Sequence, residues 1–116
     1  MSIKLTFGQA LDVWRGAILE TVRRDTADLS ARQTAVILTV YLTAGPHTVR
    51  GLAQTLAVSK PAITRALDRL EKLDFVKRKA DERDRRSVLV QRTVRGSAYL
   101  RETGDLIAAA AAASER

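Results

Sequence analysis

Residues 52–78 read LAQTLAVSKPAITRALDRLEKLDFVKR and residues 81–96 read DERDRRSVLVQRTVRG, and the punctuation of these two stretches decides the fold. In the first, Leu52, Ala53 and Leu56 share one side of a short helix that Thr48 can cap, and Ala57-Val58-Ser59 makes a tight link to a second helix. Ser59 caps that helix, and Pro61 falls in its first turn, where a missing N–H costs nothing. Ile63, Leu67, Leu70 and Leu73 form its inner stripe, with Lys60, Thr64, Arg65, Asp68, Arg69 and Lys72 on other faces. Two short helices joined by a three-residue turn, the second cationic outside, predict a helix-turn-helix. Phe75-Val76 then leads into a strand, ADERDRR is a polar loop, and SVLVQR alternates with period two, Val88 and Val90 on one face, Leu89 and Gln91 on the other. A hairpin directly after the second helix of a helix-turn-helix is a wing.

Upstream, Ser30 and Gln33 fit a capping box for a helix over residues 31–44, which Gly45-Pro46 stops. His47 follows as an exposed polar loop residue. Further out, Phe7, Leu11, Trp14, Ile18 and Val22 recur at helical spacing over residues 7–24; this stripe either packs into the core or docks on a partner chain. Residues 94–113 read as a last helix, with a kink allowed at Gly104 and six alanines at its end. The expected architecture is mainly α with a small β-hairpin wing. One winged-helix domain spans residues 1–116, with its core at 30–93 and a helix on each flank.

The 116 residues, 46% hydrophobic and 28% charged, suit one small globular domain and exclude a wholly disordered chain. Twenty Lys and Arg against thirteen Asp and Glu give a net charge of +7, which favours an anionic partner. The excess is localised. Between Thr48 and Arg101 there are 14 basic and 6 acidic residues, a balance of +8, while the flanks together sum to −1. Absence of cysteine excludes thiolate chemistry and cysteine-ligated zinc, and one histidine cannot build a His-rich metal site. With neither a P-loop nor a Gly-rich dinucleotide fingerprint, no enzyme and no cofactor are expected. No secretory signal and no apolar stretch of membrane-spanning length is visible, so the expected location is cytoplasmic, without a membrane partner.

The stretch LAQTLAVSKPAITRALDRLEKLDFVKR followed by DERDRRSVLVQRTVRG resembles the winged-helix core of the MarR family of bacterial transcription regulators. That family's wing signature runs D-x-R, five residues, then L-T-x-x-G. Asp84, Arg86, Thr93 and Gly96 stand at that spacing, with Arg92 in place of the leucine. The resemblance covers about residues 30–101. It implies a homodimer on double-stranded DNA with a pseudo-palindromic operator, held by the terminal helices, for which Leu11, Trp14, Ile18, Leu106 and Ile107 are the candidates.

In such a complex the start of the second helix enters the major groove. Arg65 is the candidate for a bidentate contact with guanine, while Ser59, Lys60 and Thr64 hold phosphates and Pro61 and Ala62 touch a thymine methyl; Arg69 completes the set. By resemblance, one of Arg83, Arg85 and Arg86 inserts into a narrow minor groove, with Asp84 pairing an arginine to hold the loop. Lys77, Arg78 and Lys79 either flank the DNA backbone or guard a strand edge against aggregation. Trp14, Tyr41 and Tyr99 could line a pocket for a small-molecule effector, although aromatic residues at helical spacing more often belong to a core. The competing reading is a winged helix used as a protein-interaction or architectural module that meets an acidic partner.

Overall fold

A computed structural model describes residues 4–24 and 27–114. Along these residues run α1 (Phe7–Arg23), α2 (Ala31–Leu42), β1 (His47–Thr48), α3 (Val49–Leu56), α4 (Lys60–Lys72), β2 (Val76–Ala80), β3 (Val88–Arg92) and α5 (Val94–Ser114). Contacts divide the chain into two units, Leu29–Tyr99 and, separately, Met1–Asp28 with Leu100–Arg116.

In the Leu29–Tyr99 unit the helix starts are where hydroxyl side chains can take up free N–H groups. The Gln33 N–H donates to Ser30 Oγ at 3.1 Å and the Ser30 N–H to Gln33 Oε1 at 2.9 Å. Thr48 and Ser59 accept from the Gly51 and Ala62 N–H groups and so start α3 and α4. Between those two helices Ala57 takes the left-handed conformation, φ 56°, which lets the Val58 N–H reach the Ala53 carbonyl at 3.1 Å. Glycine is the residue that usually fills this position.

The expected inner stripe of α4 is the centre of the core. Ile63, Leu67 and Leu70 are fully buried against Val36, Ile37 and Val40 of α2 and Leu52 of α3, each large side chain stabilising the fold by about 1.5–3 kcal/mol. Leu73 is half-buried and serves as the C-cap of α4.

Two expectations change at the sheet. It has three antiparallel strands in the order β1-β3-β2, where a two-stranded hairpin was expected. His47 is also a half-buried strand residue paired with Val90, not an exposed loop residue. Both changes come from one segment: once Gly45-Pro46 has ended α2, residues 47–48 run extended along the free side of β3 and satisfy its backbone groups. Helix α2 stops at Leu42, short of the expected residue 44. Its last turn is closed by Arg92, whose Nε donates to the Val40 carbonyl at 2.9 Å and Nη2 to the Thr43 carbonyl at 3.2 Å. The residue that departs from the wing signature is therefore a C-terminal cap for another helix, and its guanidinium lies 5.7 Å from the Tyr41 ring centre.

The T-x-x-G part of the signature has an equally local cause. The Tyr41 hydroxyl donates to the Phe75 carbonyl at 2.7 Å and accepts from the Thr93 N–H at 2.9 Å. Thr93 Oγ1 donates to the Asp74 carbonyl at 2.6 Å and accepts from the Gly96 N–H at 2.9 Å, which caps α5. A Cβ on Gly96 would collide with the Tyr41 hydroxyl and the Phe75 carbonyl. Tyr99 stacks on Phe75 with ring centres 4.4 Å apart, so Tyr41 and Tyr99 are engaged in the core, as helically spaced aromatics usually are. From Thr93 the helix α5 continues through Gly104 without interruption.

In the other unit α1 begins with a capping box that sequence reading missed, between Thr6 and Gln9. Gly16 lies where an added Cβ would come to 3.0 Å from Ala110 Cβ, and Arg24 Nη2 donates to Thr103 Oγ1 at 2.7 Å, so α1 lies along α5. No described residue of α1 is buried. Of the two readings of its apolar stripe, packing into the chain's own core is the one the structure removes: Phe7, Leu11, Trp14, Ile18 and Val22 are all exposed, Trp14 by 65%. On α5, Leu106 is half-buried and Ile107 is 40% exposed.

Replacing Gly96 with alanine forces the Tyr41 hydroxyl off its partners and is expected to cost about 2–4 kcal/mol, read as a lower urea midpoint with unchanged slope. Arg92→Leu restores the wing-signature leucine but leaves the α2 carbonyls bare; a loss of about 1 kcal/mol is expected in the same titration.

Candidate functional site

The outward side of α4 and the wing lie within one unit. Lys60, Pro61, Thr64 and Arg65 are exposed, all in the first half of α4, and Arg69 is half-buried one turn beyond Arg65. Ser59 is exposed, with its hydroxyl already accepting from the Ala62 N–H. Ala62 is not on this face. It is 5% exposed and packs into the core, so the thymine-methyl contact expected of it has no outward methyl to make it.

Beside α4 runs a groove of about 290 Å³. It is lined by Arg50 from α3, Lys60 and Thr64 from α4, Arg78 from β2, and Arg86 and Val88 from the wing. Arg50 was missed in the sequence because, beyond its place in the basic half of the chain, nothing in a single Val-Arg-Gly distinguishes it. Its position as the second residue of α3 carries it to this groove. Arg50, Lys60 and Arg86 pair with no carboxylate among the described residues, so three cations converge beside the N-terminus of α4, the positive end of that helix's dipole.

Arg78 differs. Its Nε donates to Glu71 Oε2 and its Nη2 to Asp68 Oδ1, both at 2.7 Å. Burial works against its charge, but hydrogen bonds and attraction from the two carboxylates outweigh that, and the guanidinium pKa stays above the usual arginine value. Of the three cations on β2, Lys77 and Lys79 are exposed, while Arg78 is already paired.

The wing loop is shaped by its carboxylates. Asp81 Oδ1 accepts from the Arg83 N–H at 2.9 Å and Asp84 Oδ1 from the Arg86 N–H at 3.1 Å, while the Ser87 N–H returns to the Asp84 carbonyl at 2.9 Å. The expectation that Asp84 pairs an arginine side chain is not what the geometry gives: its carboxylate takes the Arg86 backbone N–H, as short acidic side chains do in turns. That leaves the side chains of Arg83, Arg85 and Arg86 exposed on a backbone tied from within. No helix among the described residues is long and apolar enough to cross a membrane.

Comparison with known proteins agrees with this geometry. The profile of the MarR family matches residues 29–88. Among solved structures, the chain is similar to the transcriptional regulator BldR from Sulfolobus solfataricus (29% identity, 86% of this chain and 72% of that one, TM-score 0.62). It is also similar to a mutant of MarR from E. coli (26% identity, 92% and 79%, TM-score 0.66). The S. aureus MepR–DNA complex shares the fold at 17% identity, over 84% of this chain and 77% of that one, with a TM-score of 0.70. The comparison with curated protein sequences finds no match.

Asp84→Ala removes the acceptor that orders the loop. Faster amide exchange at Arg86 is expected, while global stability changes by no more than about 0.5 kcal/mol because the position is exposed.

Proposed function

This chain belongs to the MarR family of DNA-binding transcriptional regulators, and from that premise we propose that it binds double-stranded DNA sequence-specifically, as a homodimer on a pseudo-palindromic operator. The observation that carries the reading is the unpaired cationic face formed by Arg50, Lys60, Arg65 and Arg86 across α3, α4 and the wing. The first turns of α4 enter the major groove, with Arg65 bidentate to a guanine. Ser59, Lys60, Thr64 and Arg69 lie along phosphates, Pro61 faces a base edge, and Arg50 adds a phosphate contact from α3. Arg83, Arg85 and Arg86 reach the minor groove, where A·T-rich sequence deepens the negative potential.

The exposed stripe of Leu11, Trp14 and Ile18, with Leu106 and Ile107 on α5, supplies the apolar surface for a second copy. Two-fold symmetry then sets the recognition helices about 34–36 Å apart, one turn of duplex. Members of this family are regulators and not enzymes.

Selection from random duplex DNA is expected to enrich a palindrome. Fluorescence titration on that site is expected to give a log K against log salt slope near −7 to −9, for about 8–10 phosphates neutralised by two protomers. Arg65→Ala is expected to flatten the preference among sequences by about 1–3 kcal/mol, whereas Arg85→Ala with Arg86→Ala weakens binding more evenly or removes an A·T preference. Salt-sensitive binding with no enriched sequence would overturn the specificity; binding indifferent to salt would overturn the DNA-binding reading altogether.

A further inference from the structure

Helix α4 carries two carboxylates, Asp68 and Glu71, on an element proposed to approach a polyanion. Both point to Arg78 on β2. Arg78 Nη2 reaches Asp68 Oδ1 and its Nε reaches Glu71 Oε2, both at 2.7 Å, and its backbone N–H lies 3.4 Å from Glu71 Oε1. One guanidinium thus spans two acids three residues apart on the same helix, a fork geometry that an ammonium cannot reproduce. The Arg78 side chain is 26% exposed, and of its two partners Glu71, at 36%, is more sheltered than Asp68, at 60%. In the sheet it is paired with Val90, which is buried, so the strand is anchored to the core at this level.

Beyond it the wing loses such anchors: from Lys79 to Leu89 no residue is buried. Within that span, hydrogen bonds to β3 and within the loop hold the hairpin together, and at its base Leu89 also pairs with Thr48 of β1. Arg78 ties the hairpin to α4 immediately before the tip that carries Arg83, Arg85 and Arg86.

We propose that Arg78 is a positioning residue: its paired contacts with Asp68 and Glu71 fix the wing against α4, so that the wing arginines and the face of α4 reach one duplex together. This rests on the DNA-binding reading above. It also explains why a helix that faces phosphates keeps two negative charges, since those charges hold the wing's geometry.

The test turns on opposite signs. Asp68→Asn with Glu71→Gln makes each protomer more positive by two charges, and electrostatics alone would tighten binding to duplex. If the clamp positions the wing, the same variant binds more weakly, by about three- to thirtyfold. Arg78→Lys retains the charge but cannot span both carboxylates, and is expected to weaken binding similarly with the salt slope unchanged. The measurements are titrations of wild type and variants on the selected duplex, below each protein's unfolding transition, together with amide exchange over residues 79–87 without DNA.

Weaker binding by both variants, with faster wing exchange, supports the clamp. Equal or tighter binding by the neutralised variant overturns it, as does full binding by Arg78→Lys or a salt slope shallower by about one per protomer, the mark of a lost phosphate contact. Should the wild type bind no duplex, the DNA-binding reading fails. Wing exchange in the DNA-free protein still decides the clamp, because unchanged exchange shows that the contacts do not hold the wing.

Discussion

The Tyr41 hydroxyl is the contact on which the rest of the Leu29–Tyr99 unit depends. It takes one hydrogen bond from the Thr93 N–H and gives one to the Phe75 carbonyl, and those two groups belong to the end of the wing and to its beginning. A single phenol on α2 thus closes the base of the hairpin. The apolar core holds α2, α3 and α4 together but has no direction of its own. Direction comes from this polar node, because a half-buried phenol with two backbone partners has few alternative positions that keep both hydrogen bonds. Gly96 leaves the space for it and Thr93 turns the chain from strand into α5 within the same few ångströms.

On this frame charge is sorted by role. Carboxylates in the basic half are mostly spent on the protein itself: Asp81 and Asp84 on loop N–H groups, Asp68 and Glu71 on Arg78. Several arginines there are also internal. Arg92 closes α2 and Arg78 joins sheet to helix. What remains outward is smaller than the balance of +8 suggests, but it is concentrated on the first turns of α4, on Arg50 and on the wing tip. Net charge indicated a kind of partner; geometry separates the cations left outward from those engaged with the protein itself.

Helix-turn-helix and wing were legible in the sequence because their signals are local. Ser30, Thr48 and Ser59 act within three residues, and the Ile63–Leu67–Leu70 spacing reports its own buried face. Strand β1 was not legible, since two residues, His47 and Thr48, carry no periodicity and owe their conformation to a partner some forty positions away. The same distance in sequence hid the roles of Arg92 and Tyr41, both of which act across about fifty residues. Ala62 was misplaced by one step around a helix, where 100° separates an outward methyl from a core one. Arg50 entered the candidate site only when α3 and the wing were placed side by side. Asp84 accepts from the Arg86 backbone N–H, a partner that spacing alone did not distinguish from an arginine side chain.

The six alanines from Ala108 to Ala113 look interchangeable as letters. In the folded chain they are not: Ala110 and Ala111 are half-buried, and Ala110 comes so near Gly16 that there is room for no further carbon, while Ala108, Ala109, Ala112 and Ala113 are exposed. The seating of the Ala110 methyl over Gly16 makes smallness itself the specific property, read on one face of the helix and irrelevant on the other. A stretch of lowest compositional complexity therefore contains positions of unequal tolerance: a bulkier side chain at residue 110 would press on α1 at Gly16, whereas one at residue 109 or 112 would extend into solvent.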